Sequence, residues 1–89
     1  MIQTQATIIN KLGLHARAAS KFVSTTSNFT SQVKVGLNGR EVDGKSIMAI
    51  MMLAAGQGTV LDLTFDGEDE QAAAEALNSL INDYFGEGE

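Results

Sequence analysis

Residues 33–43 read VKVGLNGREVD. Val33, Val35 and Leu37 alternate with Lys34 and Gly36, the period-two pattern of a strand that buries one face. Asn38-Gly39 comes next, and both residue types accept the positive φ angles that a two-residue type I′ turn demands. The chain is therefore expected to reverse there and return antiparallel through Arg40–Asp43. A hairpin in the middle of an 89-residue chain points to an antiparallel sheet, and the flanking segments can be read around it.

Toward the N-terminus, Ile2, Thr4, Ala6 and Ile8 alternate with Gln3, Gln5 and Thr7, which predicts a half-buried strand. Lys11 to Leu14 reads as a loop. From Ala16 the period changes to that of a helix, with Ala19, Phe22, Val23 and Thr26 on one side and Arg17, Ser20, Lys21 and Ser24 opposite. Asn28 is expected to stop it in a left-handed conformation. Toward the C-terminus, Ser46 fits an N-cap ahead of a helix over 47–54, with Gly56 as its stop. Gln57-Gly58 turns into a strand over 60–65, whose apolar face is Leu61, Leu63 and Phe65. After Asp66-Gly67 a last helix begins with Glu68, Asp69 and Glu70, acids that favour a helix start. Its apolar stripe is Ala73, Ala76, Leu77, Leu80, Ile81 and Tyr84, and residues 86–89 are expected to fray.

The order β-α-β-β-α-β-α, with single-faced strands and no linker or internal repeat, predicts one domain over residues 1–89. Its class is α+β, an open-faced β-sandwich: a four-stranded, largely antiparallel sheet covered on one face by three helices. The other face would meet water.

Composition excludes several functions. There is no Cys, hence no disulfide, no thiol nucleophile and no zinc framework, and a single His cannot hold a metal alone. No metal and no cofactor is expected. The N-terminus has no basic leader and no run of about 18 apolar residues occurs, so membrane insertion is not expected and a cytoplasmic location is. Residues 1–45 hold all six bases and two acids, +4, and residues 46–89 hold nine acids and no base, −9, together −5. That balance argues against nucleic acid as a partner and leaves a basic patch near the first helix that can steer acidic proteins.

The only histidine, His15, stands where the loop gives way to the first helix. A ring at that place faces unpaired backbone N–H groups and the positive end of the helix dipole, a setting made for an anion such as phosphate. Gly13 permits the turn before it, Ala16 has no bulk to shield the N–H groups of Ala16 and Arg17, and the Arg17 guanidinium can pair with a phosphate through a fork of donors. Phosphoryl transfer has a loose transition state, so a carrier needs little more than an exposed nitrogen lone pair, in-line access and fixed dipoles. The glycines form no phosphate-loop pattern.

GLHARAASKF, residues 13–22, resembles the active-site signature of the HPr family, the histidine-containing phosphocarriers of the bacterial phosphoenolpyruvate-dependent phosphotransferase system. GKSIMAIMMLAAGQGT, residues 44–59, resembles that family's second signature, and the likeness covers essentially the whole chain. It implies that His15 takes phosphate on Nδ1 from enzyme I and passes it to an enzyme IIA domain, with Arg17 assisting. The protein would be a stoichiometric intermediate in sugar transport, not an enzyme, and nothing demands more than a monomer. The resemblance also makes Ser46 a regulatory position modified by an HPr kinase/phosphorylase in many members. It places partner docking on Ser20 and Lys21 of the first helix and on the second helix. One departure is Ala18, where the family usually has proline; Ser24 and Ser27 likewise stand where basic residues are common.

Residues 47–53, IMAIMML, are apolar all round. With Ile50 and Leu53 turned to the sheet, Ile47, Met48, Met51 and Met52 are expected to form an exposed docking patch, because flexible methionines suit several unrelated partners. Ser46 is also a plain N-cap, and phosphate there would add about two negative charges beside that patch. Other readings are a nitrogen-related paralogue, against which Ser46 and LAAGQGT lean, and a regulatory binding module acting through Ser46 and Met48. An acyl carrier, suggested faintly by Asn78-Ser79-Leu80, would be helical throughout and conflicts with the hairpin.

Overall fold

The computed structural model describes residues 1–89. Four strands, β1 (Ile2–Thr7), β2 (Gln32–Leu37), β3 (Arg40–Asp43) and β4 (Val60–Asp66), make one sheet in the order β1-β4-β2-β3. Every pairing is antiparallel. The hairpin lies where the sequence put it: Leu37 pairs with Arg40, and Asn38 and Gly39 take φ of 52° and 81°. β4 is the last strand in sequence but lies between β1 and β2. Its register, Thr4 opposite Leu63 and Val35 opposite Leu63 from the other side, places every inward side chain of three strands in common rows.

Helices α1 (Ala16–Thr26), α2 (Ile47–Met52) and α3 (Glu70–Asn82) cover the inner face. Phe22 of α1, Ile50 of α2, and Leu77 and Ile81 of α3 are fully or almost fully buried against Val33, Val35, Leu61, Leu63 and Phe65 of the sheet. The open face carries Gln3, Gln5, Lys34, Glu41 and Asp62, where Gln5 donates to Asp62 at 2.9 Å and Lys34 lies 3.8 Å from Glu41. The expected α+β open-faced sandwich is therefore the fold.

Four local expectations differ. α1 does not stop at a left-handed Asn28: Asn28 and Phe29 N–H reach the carbonyls of Thr25 and Thr26, tightening the last turn in right-handed conformation. α2 ends at Met52, and the left-handed residue is Ala54, φ 53°, not Gly56. Asp69, expected only as a favourable charge at a helix start, has specific partners. Its carboxylate accepts from the N–H groups of Thr30 and Ser31, both at 2.9 Å, and from the Ser31 hydroxyl, tying the start of α3 to the start of β2. The fourth is the C-terminus. Tyr84 is exposed and Phe85 takes its place in the core, fully buried, within a short 3₁₀ turn over Tyr84–Gly86. Residues 86–89, expected to fray, have defined contacts instead, because Phe85 anchors the chain just before them.

Candidate functional site

His15 is the N-cap of α1, with φ −74° and ψ 179°. Its carbonyl accepts the first helical hydrogen bond, from Ala19 at 2.9 Å, while its ring makes no capping bond. The N–H groups of Ala16 and Arg17 consequently have no acceptor in the protein and stand at the positive end of the helix, at residues that line the cleft. Ala18, which has the N–H that proline would lack, is fully buried and outside that lining.

The loop before the ring is held rigidly. Gly13 takes φ 69°, and a Cβ there would come within 2.5 Å of the Ala55 carbonyl oxygen. Leu14 N–H donates to that same carbonyl at 2.8 Å. The segment that follows α2 thus sets the position of the histidine loop, which joins the two motifs of the sequence physically. Asn10, fully buried, donates from Nδ2 to the Gly13 carbonyl at 2.8 Å.

A shallow cleft at the helix start is lined by Leu12, His15, Ala16, Arg17, Gly86, Glu87 and Glu89. The His15 side chain is 30% exposed. Its Nε2 pairs with the Glu87 carboxylate, whose other oxygen accepts from Asn10 Nδ2 at 3.0 Å. Nδ1 is the ring nitrogen without a partner. Arg17 is exposed and makes no ion pair or hydrogen bond, so its guanidinium is available beside the ring.

Glu87 and Asn10, which contact the ring and the loop before it, were not picked out by sequence reasoning. Asn10 carried a weak signal, an amide at the end of an alternating strand just before a glycine loop. Glu87 carried none, since nothing local predicts that the last residues fold back across more than seventy positions. The same closure changes the electrostatics: two acids of the acidic half line the cleft, so the expected basic patch is partly neutralised. Lys21 is also not a free outward cation. It is half-buried and donates from Nζ to the Phe85 carbonyl at 2.6 Å. Ser20 is exposed as expected.

Ser46 caps α2, its Oγ accepting from Ala49 N–H at 3.2 Å. Ile47, Met48, Met51 and Met52 lie together on the surface as an entirely apolar patch, Met48 being 73% exposed. Ile50 is fully buried on the opposite side, as the helical period requires. No group of His, Asp and Glu side chains is arranged to hold a metal ion. No helix is long and apolar enough to cross a membrane.

A family model described as "PTS HPr component phosphorylation site" matches residues 2–83. The phosphocarrier protein HPr of Cupriavidus necator is 60% identical over 89 residues, the full length of both chains. That of Pseudomonas aeruginosa is 60% identical over 86 residues, 96% of each. Among solved structures, HPr-C-His from Thermoanaerobacter tengcongensis matches with a TM-score of 0.94 at 47% identity over 98% of each chain. With two signatures, the sheet order and the histidine at a helix start all in agreement, the chain belongs to the HPr family, the phosphocarriers of the phosphotransferase system.

Proposed function

We propose that His15 receives a phosphoryl group on Nδ1 from phosphorylated enzyme I and hands it to an enzyme IIA domain. The observation that carries this reading is one cleft lined by Ala16 and Arg17, whose N–H groups lack acceptors, and by His15, whose Nδ1 lacks a partner, with the Arg17 side chain also unpaired. The lone pair of Nδ1 forms the nitrogen–phosphorus bond as the donor's own bond to phosphorus breaks, and the donor keeps that electron pair. The N–H groups of Ala16 and Arg17, with the Arg17 fork, stabilise the dianion without reorganising. Transfer onward reverses the step. No base is needed at His15, because Nδ1 attacks with a lone pair that carries no proton.

Docking is assigned to the apolar surface of α2, Ile47, Met48, Met51 and Met52, together with Ser20 on the outer side of α1. Lys21 would contribute through the tail that it holds. Phosphate on Ser46 would stand beside that surface and weaken docking by charge and desolvation, while still accepting the N–H that the hydroxyl caps. A cytoplasmic, monomeric protein is the simplest form consistent with these roles. The test mixes phosphoenolpyruvate, enzyme I and this protein. One acid-labile phosphate per chain is expected, and none in His15→Ala.

A further inference from the structure

The tail that Lys21 holds also closes over His15. α3 ends at Asn82, after which Tyr84 and Phe85 take left-handed backbone, φ 57° and 53°. Two consecutive non-glycine residues adopt that region only when their surroundings compel it. Here the compulsion is packing: Phe85 is fully buried, its carbonyl accepts from Lys21, and the N–H groups of Gly86 and Glu87 return to the carbonyls of Asp83 and Tyr84, both at 2.9 Å. The turn aims Glu87 back at the start of α1. There His15 Nε2 meets one carboxylate oxygen and Asn10 Nδ2 the other, and the Glu87 side chain is only 10% exposed.

Burial alone would raise the Glu87 carboxyl. Hydrogen bonds from His15 and Asn10, with the charges of His15 and Lys21, outweigh burial and lower it below the usual carboxylate range. An ionised carboxylate can only accept, so Nε2 carries a proton whether the ring is charged or neutral, and in the neutral ring it is the only nitrogen that does.

We propose that Glu87 is a positioning residue for phosphoryl transfer: by accepting the Nε2 proton it fixes the tautomer and rotation of the imidazole that leave the Nδ1 lone pair unoccupied. This rests on the reading of His15 as the acceptor. During transfer the Nε2 proton stays in place. Once phosphorus is bonded to Nδ1 the ring is substituted at both nitrogens and carries positive charge, which the Glu87 carboxylate partners. When the phosphoryl group leaves, the electron pair returns to Nδ1 and the original tautomer is restored without a proton having to move. The tail therefore holds, through Glu87, a ring that has no other side-chain partner.

The full-length protein labelled with ¹⁵N in histidine tests this, alongside the rate of phosphorylation by phospho-enzyme I. In the wild type the neutral ring should show the Nε2–H tautomer alone. Glu87→Ala should give a tautomer mixture and slow phosphorylation about tenfold, a loss of about 1.4 kcal/mol of transition-state stabilisation. Glu87→Gln, which still offers an amide oxygen, should recover the wild-type tautomer and most of the rate. An unchanged tautomer or an unchanged rate in Glu87→Ala, or a defect in Glu87→Gln as deep as in Glu87→Ala, overturns the positioning role and leaves His15 as acceptor untouched. Phosphate that persists in His15→Ala would instead overturn the underlying reading.

Discussion

Arg17 has no carboxylate partner, so its charge is not diverted from the cleft. Charge-assisted hydrogen bonds to a phosphate are worth roughly 1.5–3 kcal/mol, and Arg17→Ala should therefore lower kcat/KM for phosphorylation by about ten- to a hundredfold without altering the melting temperature. Ala18 is the second informative residue. Its N–H is unpaired and the residue is fully buried outside the cleft lining, so Ala18→Pro removes no hydrogen bond within the protein and should leave phosphorylation of His15 in place. Asp69 tests the electrostatics away from the site. The Ser31 hydroxyl and the Thr30 N–H, helped by the Ser31 N–H, outweigh the opposing effect of burial and lower its carboxyl from 3.8 to about 2. A carboxyl lowered by folding contributes stability that is complete above its unfolded value and is lost as pH falls toward its folded one. Stability should thus decline between about pH 4 and pH 2 in urea titrations, and Asp69→Asn should flatten that limb of the curve.

At the scale of elements, α2 separates two roles by face. Ile50 is fully buried and Ile50→Ala should cost about 2–5 kcal/mol, read from the denaturant midpoint. Met48, 73% exposed, is different: Met48→Asp should leave stability within about 0.5 kcal/mol and weaken binding to enzyme I in titration calorimetry. Equal stability loss in both would contradict the docking assignment. The boundaries of the helices were less legible than their faces. The stripe of α1 and the caps of its neighbours follow from residue type, so Phe22, Ile50, Leu77 and Ser46 could be placed by period and chemistry. The left-handed backbone at Ala54, Tyr84 and Phe85 could not, since no propensity favours it there. Tertiary packing imposes it, at Phe85 by burying a ring and at Ala54 by bringing the Ala55 carbonyl under Leu14.

For the molecule as a whole, the Asn38-Gly39 hairpin and the alternating strands were enough to establish the sheet, because period and turn chemistry are local. They could not by themselves show that β4 lies between β1 and β2. That follows from burying Leu61, Leu63 and Phe65 under all three helices at once. The candidate site was legible in proportion to its locality. His15, Arg17 and the N–H groups belong to one helix start and could be read together. Glu87 reaches the ring from 72 positions away, and only the folded chain discloses it. Phe85→Ala should couple the two scales: a loss of about 3–5 kcal/mol in stability, with release of the tail from His15 visible as a change in the ring's NMR signals.

The most direct measurement is ³¹P and ¹⁵N NMR of the protein after phosphorylation by phosphoenolpyruvate and enzyme I. Phosphorus should couple to Nδ1 of His15, and the amide resonances of Ala16 and Arg17 should move together as they bind the dianion. Phosphorus on Nε2 or on another residue, or two amides that do not respond, would contradict the account.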